Sequence, residues 1–426
     1  MNIASFFLLN SVEIIYFAKN LNMKRTISVI PFILLLTTAF AQQPDKAKYA
    51  TSPAGFMQKE IMKDITGKEG DAPNKKSFVM DFNGKTYPTD PAKYTTVWHN
   101  DPVSQGLSGT CWAYSATSFI ESEAYRKSGH QVKLSEMFTV YWEYVARAEE
   151  FVKTRGKIEL GEGSESNAIK RVMFNHGLMP YSAYNGLKEG QKYNNHVKLF
   201  TEFKAYLDEV ANKNLWDDDV VGKVKEILDR NICTPPETFI YEGKTYTPKS
   251  FMEEYLKVRP NDYFSFMSFK KYPYNQRHEL EEPDNWWHSN EYYNISLDDY
   301  IWIIRNAITN GYSISLCGDT SEPGYVKETE VGIIPTFDIP AKYINADSRE
   351  MRLENGCTTD DHCIQIVGYQ KIKNQYWYLI KDSGSGGMDG EHRGYRFYSE
   401  DYIKLKMINI MVNVDAARKI LDGIIK

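Results

Sequence analysis

Two strand-like runs near the C-terminal end of the chain constrain the fold more than any other feature. The first covers residues 363–369 and the second residues 376–381, with six residues between them of which five are polar. Apolar, β-branched and aromatic residues dominate both runs, so the pattern predicts two neighbouring strands of one sheet. His362 starts the first strand and Asp382 follows the second. These two side chains are therefore expected at adjacent strand ends.

A helical pattern begins at Cys111. Small and apolar residues recur at helical spacing from Ala113 to Ala124, which predicts one buried face, and Gly129 ends the pattern. Cys111 then lies at the helix N-terminus, where unpaired backbone N–H groups and the helix dipole favour a thiolate over a thiol. The pattern therefore predicts a reactive cysteine, with a small buried apolar residue as the alternative.

A cysteine nucleophile needs a base, and the base needs a group that orients it. Most of the eight histidines lie in polar runs that are typical of a solvated surface. His362 differs because it follows an acidic turn and starts a strand. His362 and Asp382 are therefore the candidates for the base and its partner.

Several short motifs resemble those of papain-like cysteine peptidases. Gln105 stands six residues before Cys111, and a tryptophan directly follows the cysteine. Further matching segments are Leu134-Ser135-Glu136, Gly161-Glu162-Gly163, Asn175-His176-Gly177-Leu178, His362 with its strand, and Lys381-Asp382-Ser383-Gly384. The resemblance implies an α+β fold of two lobes, one helical and one β-barrel-like, with a large mixed insertion.

The resemblance also implies roles for individual residues. Cys111 would be the nucleophile, His362 the base, Asp382 its orienting partner and Gln105 an oxyanion donor. The cleft residues that would bind substrate are Gly163 and Ser164. No cofactor is implied. Two positions depart from the family pattern, because Asp382 replaces an asparagine and Gly384 replaces a tryptophan that usually shelters the pair.

The distance between nucleophile and base points to one branch of that family. His362 lies 251 residues after Cys111, whereas roughly 130 to 150 residues are usual. The bleomycin hydrolase and aminopeptidase C branch carries such an insertion, and residues 231–239 and 246–251 resemble a stretch of that branch. The C-terminal arm that restricts this branch to aminopeptidase action looks short here. Endopeptidase cleavage is therefore an alternative, and a homo-oligomer stays open.

The N-terminal residues resemble a secretory signal peptide. Lys24-Arg25 precede an apolar run of about a dozen residues, too short for the roughly 20 that span a bilayer, and Ala39-Phe40-Ala41 form a cleavage signal. Met23 is a possible true start. The predicted organisation is a signal peptide (1–41), an N-terminal extension (42–94), a helical lobe (95–186), an inserted subdomain (187–300) and a β-rich lobe (301–426). The mature protein is expected to be periplasmic or secreted, with no membrane span.

Charge and cysteine usage bear on possible partners. The net charge is −5, with 51 basic and 56 acidic residues and no long basic block, so nucleic-acid binding is not expected. Five cysteines leave at least one thiol unpaired. A zinc site formed by Cys357, Asp361, His362 and Cys363 fits no common spacing. A disulfide between Cys357 and Cys363 is favoured over it.

Residues 239–302 are unusually aromatic and include Trp286 and Trp287. Packing of the inserted subdomain or a subunit contact is the favoured interpretation. A carbohydrate platform is the alternative.

The expected function is hydrolysis of peptide bonds outside the cytoplasm by a thiol mechanism. A catalytically weakened homologue that binds peptides or forms an assembly is the second hypothesis. An acyl transferase or amide hydrolase is the third, because the same catalytic groups do not specify the acceptor.

Overall fold

A mixed sheet of eleven strands organises the computed structural model, which describes residues 44–217 and 219–425. The strands are β1 (Ala47–Thr51), β2 (Lys76–Met80), β3 (Thr95–Thr96), β4 (Phe239–Tyr241), β5 (Lys244–Tyr246), β6 (Tyr263–Met267), β7 (Gln276–His278), β8 (Tyr292–Asn294), β9 (Ile314–Gly318), β10 (Tyr325–Val326), β11 (Val331–Gly332), β12 (His362–Ile372), β13 (Gln375–Lys381), β14 (Tyr395–Ser399) and β15 (Met407–Asn413). The sheet has the order β10-β11-β14-β13-β12-β9-β15-β6-β8-β7, and β3 pairs with β12. Pairing among the described residues does not join β7 to β10, so the predicted barrel-like lobe is an open sheet.

Eleven α-helices accompany the sheet in the described part of the chain. They are α1 (Met62–Thr66), α2 (Cys111–Ser128), α3 (Glu136–Lys153), α4 (Ala168–Asn175), α5 (Val197–Lys213), α6 (Asp219–Ile232), α7 (Pro248–Ser250), α8 (Leu297–Thr309), α9 (Ala346–Glu354), α10 (Glu400–Lys406) and α11 (Val414–Ile424). A π-helical turn, Met57–Ile61, leads into α1, and another, Phe251–Leu256, continues α7.

The helix α2 is the centre of the fold. Its predicted bounds are confirmed, with Gly129 as the left-handed residue that ends it. Every residue from Trp112 to Ala124 is buried, so the prediction of a single buried face was too narrow. The reason is that α2 packs against α3 on one side and against β12 and β9 on the other.

Polar side chains carry much of the contact between α2 and the sheet. Ser115 donates a hydrogen bond to the carbonyl of Ile364 at 2.6 Å, and Ser118 donates to the side chain of Gln365 at 2.5 Å. Lys381 donates to Ser118 at 2.7 Å. These bonds tie the helix that carries Cys111 to the strands that carry His362 and Asp382.

The region predicted as an inserted subdomain contributes to the large sheet. Its strand β6 pairs antiparallel with β15 and parallel with β8. The helices α5 and α6 form an amphipathic pair, with apolar faces packed into the core around α3. The proposed boundaries of the five regions stay predictions.

The aromatic segment mostly supplies packing. Trp286 is buried, and its indole N–H donates to Glu143 at 2.9 Å. The guanidinium of Arg171 lies 4.4 Å from the centre of the Trp287 ring. This arrangement favours the packing interpretation over a carbohydrate platform.

A disulfide joins Cys317 on β9 to Cys363 on β12. The predicted Cys357–Cys363 pair is therefore wrong. Cys363 and Cys317 face each other directly across the antiparallel strand pair, so strand register places their sulfurs together, whereas Cys357 lies in the exposed turn after α9. The free cysteines are Cys111, Cys233 and Cys357.

The last helix, α11, packs against α8, where Asn306 donates a hydrogen bond to the carbonyl of Ala416 at 2.7 Å. The predicted signal peptide lies outside the described residues. Within the described ranges, none of the helices has the length and apolar character needed to cross a membrane.

Candidate active site

Cys111 is the first residue of α2, and it is partly exposed. The preceding loop approaches the Glu162 segment closely: the amide of Gly109 donates to the Glu162 carboxylate at 2.6 Å, and the indole N–H of Trp112 donates to the Glu162 carbonyl at 3.1 Å. These two bonds hold the helix entry on both sides of the cysteine. The backbone that carries the sulfur is therefore held at the end of the helix where backbone N–H groups are unpaired.

His362 and Asp382 form a close pair, as their places at adjacent strand ends predicted. The ring nitrogen Nε2 of His362 lies 2.7 Å from Asp382 Oδ1. The side chain of His362 is 14% exposed and that of Asp382 is 1% exposed. Because Nε2 faces the carboxylate, Nδ1 is the nitrogen left to face Cys111.

The electrostatic environment favours a charged imidazole. Burial opposes the charge most strongly, but the nearby Asp382 carboxylate and the Cys111 sulfur, with their hydrogen bonds, outweigh it and raise the pKa of His362 well above its usual range. Burial also opposes ionisation of Asp382, yet His362 lowers the pKa of this carboxyl below its usual value. The geometry thus fits an imidazolium held between the Asp382 carboxylate and the Cys111 sulfur.

Gln105 is held at both ends of its side-chain amide. Its oxygen accepts a hydrogen bond from the Ser383 hydroxyl at 2.9 Å, and its nitrogen donates to the carbonyl of Ser108 at 2.7 Å. The backbone N–H of Gln105 also donates to the Ser383 carbonyl at 2.9 Å. A carboxamide nitrogen carries two protons, so one remains free for a substrate oxygen.

The absence of a tryptophan at position 384 does not expose the His362–Asp382 pair. A β-carbon at Gly384 would lie 3.1 Å from the His362 ring, and the Gly384 amide donates to Asp382 Oδ1 at 2.8 Å. Tyr325 donates its hydroxyl proton to Asp382 Oδ2 at 3.3 Å. Gly387 packs so tightly that a β-carbon there would lie 2.5 Å from Asp382 Cγ. Backbone and tyrosine therefore shelter the carboxylate.

The two predicted cleft residues lie in different settings. The hydroxyl of Ser164 is buried and donates to Glu143 at 2.6 Å, so this side chain points into the protein. Gly163 meets the carboxylate of Asp284, which occupies the space that a β-carbon would need. Their role in substrate binding stays a prediction.

Acidic side chains gather beside the disulfide. Burial raises the pKa of both Glu165 and Asp360. The charge of Glu165 and its hydrogen bond raise the pKa of Asp360 further, whereas the same hydrogen bond lowers the pKa of Glu165. Asn409 donates to Glu165 at 3.0 Å and to Asp360 at 3.4 Å. Glu165 also lies near Cys317 and Cys363, but these sulfurs are bonded to each other. The zinc alternative therefore loses Cys363 as a ligand.

A cavity of about 590 Å³ opens beside the catalytic pair. Gln105, His362 and Asp382 line it together with the loops 106–109 and 384–387. Met57, from the N-terminal extension, also lines it. The site is thus a cleft lined by the loop that precedes Cys111, by the segments of His362 and Asp382, and by a residue of the N-terminal extension.

Several solved structures are similar to this chain. PepW from Lactobacillus rhamnosis HN001 is similar with a TM-score of 0.61 and 17% identity over 79% of this chain and 85% of PepW. The mite allergen Der p 1 has a TM-score of 0.39 and 15% identity, covering 78% of this chain and 73% of the allergen. Digestive procathepsin L 3 of Tenebrio molitor has a TM-score of 0.35 and 14% identity, covering 76% and 70%.

All three are papain-like cysteine peptidases, and PepW belongs to the aminopeptidase C group. The likeness to PepW establishes the papain-like fold of this chain and confirms, at the level of the fold, the resemblance that the motifs indicated. The sequence matches no protein-family model and no curated protein.

Sequence reasoning missed several residues that position the site. Tyr325, Ser383 and Gly387 touch the catalytic carboxylate or the Gln105 amide. The dense glycines of residues 384–387 were a visible signal of close backbone approach. Tyr325 offered no local signal, because it comes from a short strand whose position depends on the whole sheet.

Proposed function

We propose that this protein is an exported cysteine peptidase that hydrolyses peptide bonds through Cys111, His362 and Asp382. The observation that carries the proposal is the 2.7 Å contact between His362 and Asp382 beside a cysteine at a helix N-terminus. These are the three groups that nucleophilic acyl chemistry needs, in the order nucleophile, base and orienting carboxylate.

The proposed reaction begins with attack of the Cys111 thiolate on the carbonyl carbon of the scissile bond. The carbonyl oxygen becomes an oxyanion, which the free N–H of Gln105 and the backbone N–H of Cys111 would stabilise. The imidazolium of His362 then gives its proton to the departing amine as the C–N bond breaks. An acyl group remains attached to the sulfur.

The second half of the reaction releases the acyl group. The neutral His362 ring takes a proton from water, and the resulting hydroxide attacks the thioester carbonyl. The C–S bond breaks, the carboxylic acid product leaves, and the thiolate and imidazolium are restored. Asp382 keeps the ring oriented throughout, because its Oδ1 accepts from Nε2 while the Gly384 amide holds the same oxygen.

Export is supported by two observations from the chain. The first is the signal-like segment that ends at Ala41. The second is the Cys317–Cys363 disulfide, because structural disulfides are typical of oxidising compartments outside the cytoplasm.

Selective alkylation of Cys111 is the experiment that tests the proposal. Residues 42–426 are treated with limiting iodoacetamide at pH 6 to 7, and mass spectrometry maps the labelled cysteines. Cys357 is more exposed than Cys111, so it reports the rate of an ordinary thiol in the same molecule. We expect Cys111 to react much faster than Cys357, and we expect the His362→Ala variant to lose that advantage.

Hydrolysis then separates the peptidase from its alternatives. A fluorogenic peptide amide is expected to be cleaved by the wild type and not by Cys111→Ala. Equal labelling of Cys111 and Cys357 without hydrolysis would favour the weakened, peptide-binding homologue. Fast labelling combined with transfer of an acyl group to an added amine, in preference to water, would favour the acyl transferase.

A further inference from the structure

We propose that residues 53–66, here called the strap, close one end of the active-site cleft and limit how many residues a substrate carries after the scissile bond. This inference rests on the proposed peptidase function and adds a substrate class to it. The strap is the segment from Pro53 through the π-helical turn and α1, and Met57 at its centre lines the same cavity as Gln105 and His362.

One end of the strap is attached to the loop that follows Asp382. The backbone N–H of Phe56 donates to the Asp389 carboxylate at 2.6 Å, and Gly55 approaches that carboxylate so closely that a β-carbon would not fit. Lys327 pairs with Asp389 at 2.9 Å and lies 3.5 Å from the Pro53 carbonyl. Because Asp389 accepts from the strap and pairs with Lys327, it joins the strap to the β-rich side of the cleft.

The other end is attached to the helical side. The Asp64 carboxylate accepts from the backbone N–H groups of Lys192 and Tyr193 at 3.2 and 3.3 Å. The ring of Phe56 packs edge-to-face on Tyr193 with 5.6 Å between centroids. Residues 192–193 directly precede Asn194, whose carbonyl accepts from Leu107 in the loop before Cys111. The strap therefore spans the cleft from one wall to the other.

Chemistry indicates which half of the substrate meets the strap. The ring that protonates the departing amine must face that amine, and His362 opens into the cavity that Met57 lines. The leaving-group half of a peptide would therefore extend into this cavity and toward the strap.

The limit is steric and does not depend on recognition of a terminal carboxylate. The described lining of the cavity includes the carboxyl groups of Glu162, Asp361 and Asp382 but no lysine or arginine. Among the described lining residues the one cationic group is the His362 imidazolium, which Asp382 and Cys111 already hold, so a substrate carboxylate would find no lysine or arginine to bind. Substrates should therefore be peptides with few residues after the scissile bond, whether their C-terminus is free or amidated.

A series of quenched fluorescent peptides tests the strap. The peptides share one sequence before the scissile bond and carry one, two, four or six residues after it. For the wild type we expect kcat/KM to fall at least tenfold between two and six residues. We expect this fall to shrink to less than threefold in the double variant Phe56→Ala, Met57→Ala and in the anchor variant Asp64→Ala. The matched control is Lys63→Ala, an exposed position of α1, which should keep the wild-type length dependence.

Three outcomes would overturn the proposal. One is a wild type that cleaves short and long peptides equally well. Another is a double variant that changes all lengths by the same factor. The third is a loss of more than tenfold when the C-terminus of a two-residue leaving group is amidated, because that would show recognition of a carboxylate.

Labelling of Cys111 distinguishes failure of the strap proposal from failure of the proposed peptidase function. The rates at which Cys111 reacts with iodoacetamide and with a maleimide carrying a polyethylene glycol chain do not require hydrolysis. We expect the ratio of the bulky to the small reagent to rise in Phe56→Ala, Met57→Ala even if no peptide is cleaved. An unchanged ratio would overturn the strap whatever the catalytic outcome.

Discussion

The carboxylate of Asp382 combines two tasks at the scale of single residues. It orients His362 through Nε2, and its charge offsets the burial that would otherwise keep the ring neutral. Tyr325 and the Gly384 amide complete its hydrogen bonds. A carboxylate with these partners is both fixed and stabilised as an anion.

The variant Asp382→Asn should narrow the pH range of activity from the alkaline side. An amide keeps the hydrogen bond but removes the charge, so the pKa of His362 falls. The imidazolium that protonates the leaving amine is then lost at a lower pH than in the wild type. We therefore expect the alkaline limb of the kcat/KM profile to move to lower pH, measured from pH 5 to 10 with a fluorogenic peptide amide. A limb that stays in place would show that Asp382 only orients the ring.

The variant Gln105→Ala should lose about 10²- to 10³-fold in kcat, the usual cost of removing one oxyanion donor. The loss should not extend to the nucleophile, because Gln105 bonds Ser383 and Ser108 and not His362. Alkylation of Cys111 by iodoacetamide is the control, and its rate should stay within a few-fold of the wild type. A parallel loss of alkylation would show that Gln105 supports the loop and not the oxyanion.

Residues of this kind differ in how far sequence could predict them. Cys111, His362 and Asp382 are predictable because helix and strand ends place them by local pattern, and their adjacency follows from two neighbouring strands. Tyr325 and Asp389 are not predictable, since β10 and the strap reach the site only through contacts between distant parts of the chain.

At the scale of elements, the loop after β13 packs its backbone directly against His362 and Asp382, because glycines at key positions carry no side chain. Gly384 and Gly387 both lie against the catalytic pair, whereas a β-carbon at Gly386 would meet no atom within 4 Å. Backbone packed this closely leaves no room for a larger residue without moving the carboxylate.

The variants Gly387→Ala and Gly386→Ala form a matched test of this loop. A β-carbon at position 387 would lie 2.5 Å from Asp382 Cγ, so the loop must shift and pull the carboxylate away from His362. We expect at least a tenfold loss of kcat/KM for Gly387→Ala and less than a twofold change for Gly386→Ala. Circular dichroism confirms that both variants fold. Equal activities would mean that the loop yields without disturbing the pair.

The disulfide joins two strands of the same sheet directly below His362. It closes a segment with a sequence separation of 46 residues, and a cross-link of that kind stabilises a fold by about 2 to 4 kcal/mol. The double variant Cys317→Ala, Cys363→Ala should therefore unfold at lower urea concentration, followed by tryptophan fluorescence without reductant. Cys357→Ala is the control and should unfold with the wild type. Identical midpoints for all three proteins would assign the bond no role in stability.

At the scale of the whole molecule, α2 and the sheet meet through a contact surface that is partly polar. Lys381 is buried there against Ser118, and burial lowers the pKa of this lysine to about 8. The buried ammonium opposes folding, because the unfolded chain keeps this proton up to about pH 10.5. This cost is complete below pH 8 and declines as the pH rises toward 10.5.

The variant Lys381→Met should accordingly be more stable than the wild type at pH 7, by up to about 3 kcal/mol. Its advantage should shrink between pH 8 and 10.5, as the wild type sheds the buried proton. Urea unfolding at pH 7 and at pH 9.5 measures the difference. Lys371→Met, at an exposed position of β12, should show no such pH dependence. A stability difference between the variant and the wild type that does not change with pH would show that better packing, and not removal of the buried charge, stabilises Lys381→Met.

The overall architecture was only partly predictable. The helix bounds of α2 and the strands β12 and β13 follow from local patterns, and the structure matches them. The open sheet and the entry of β6 and β8 into it depend on pairings between segments far apart in sequence. The strands β6 and β8 pair in parallel, so no tight turn between them marks the pair in the sequence. The true partner of Cys363 depended on strand register in the same way.

The burial of the disulfide has a practical consequence for handling the protein. Cys317 and Cys363 are 0% and 4% exposed, whereas Cys111 reaches solvent. A mild thiol reagent can therefore regenerate an oxidised nucleophile while leaving the internal cross-link intact, because the two sulfur centres differ in access by solvent. Activation and structural reduction are thus separable by time and temperature: brief, cool incubation reaches only the catalytic sulfur, and the internal bond becomes reducible when the sheet opens.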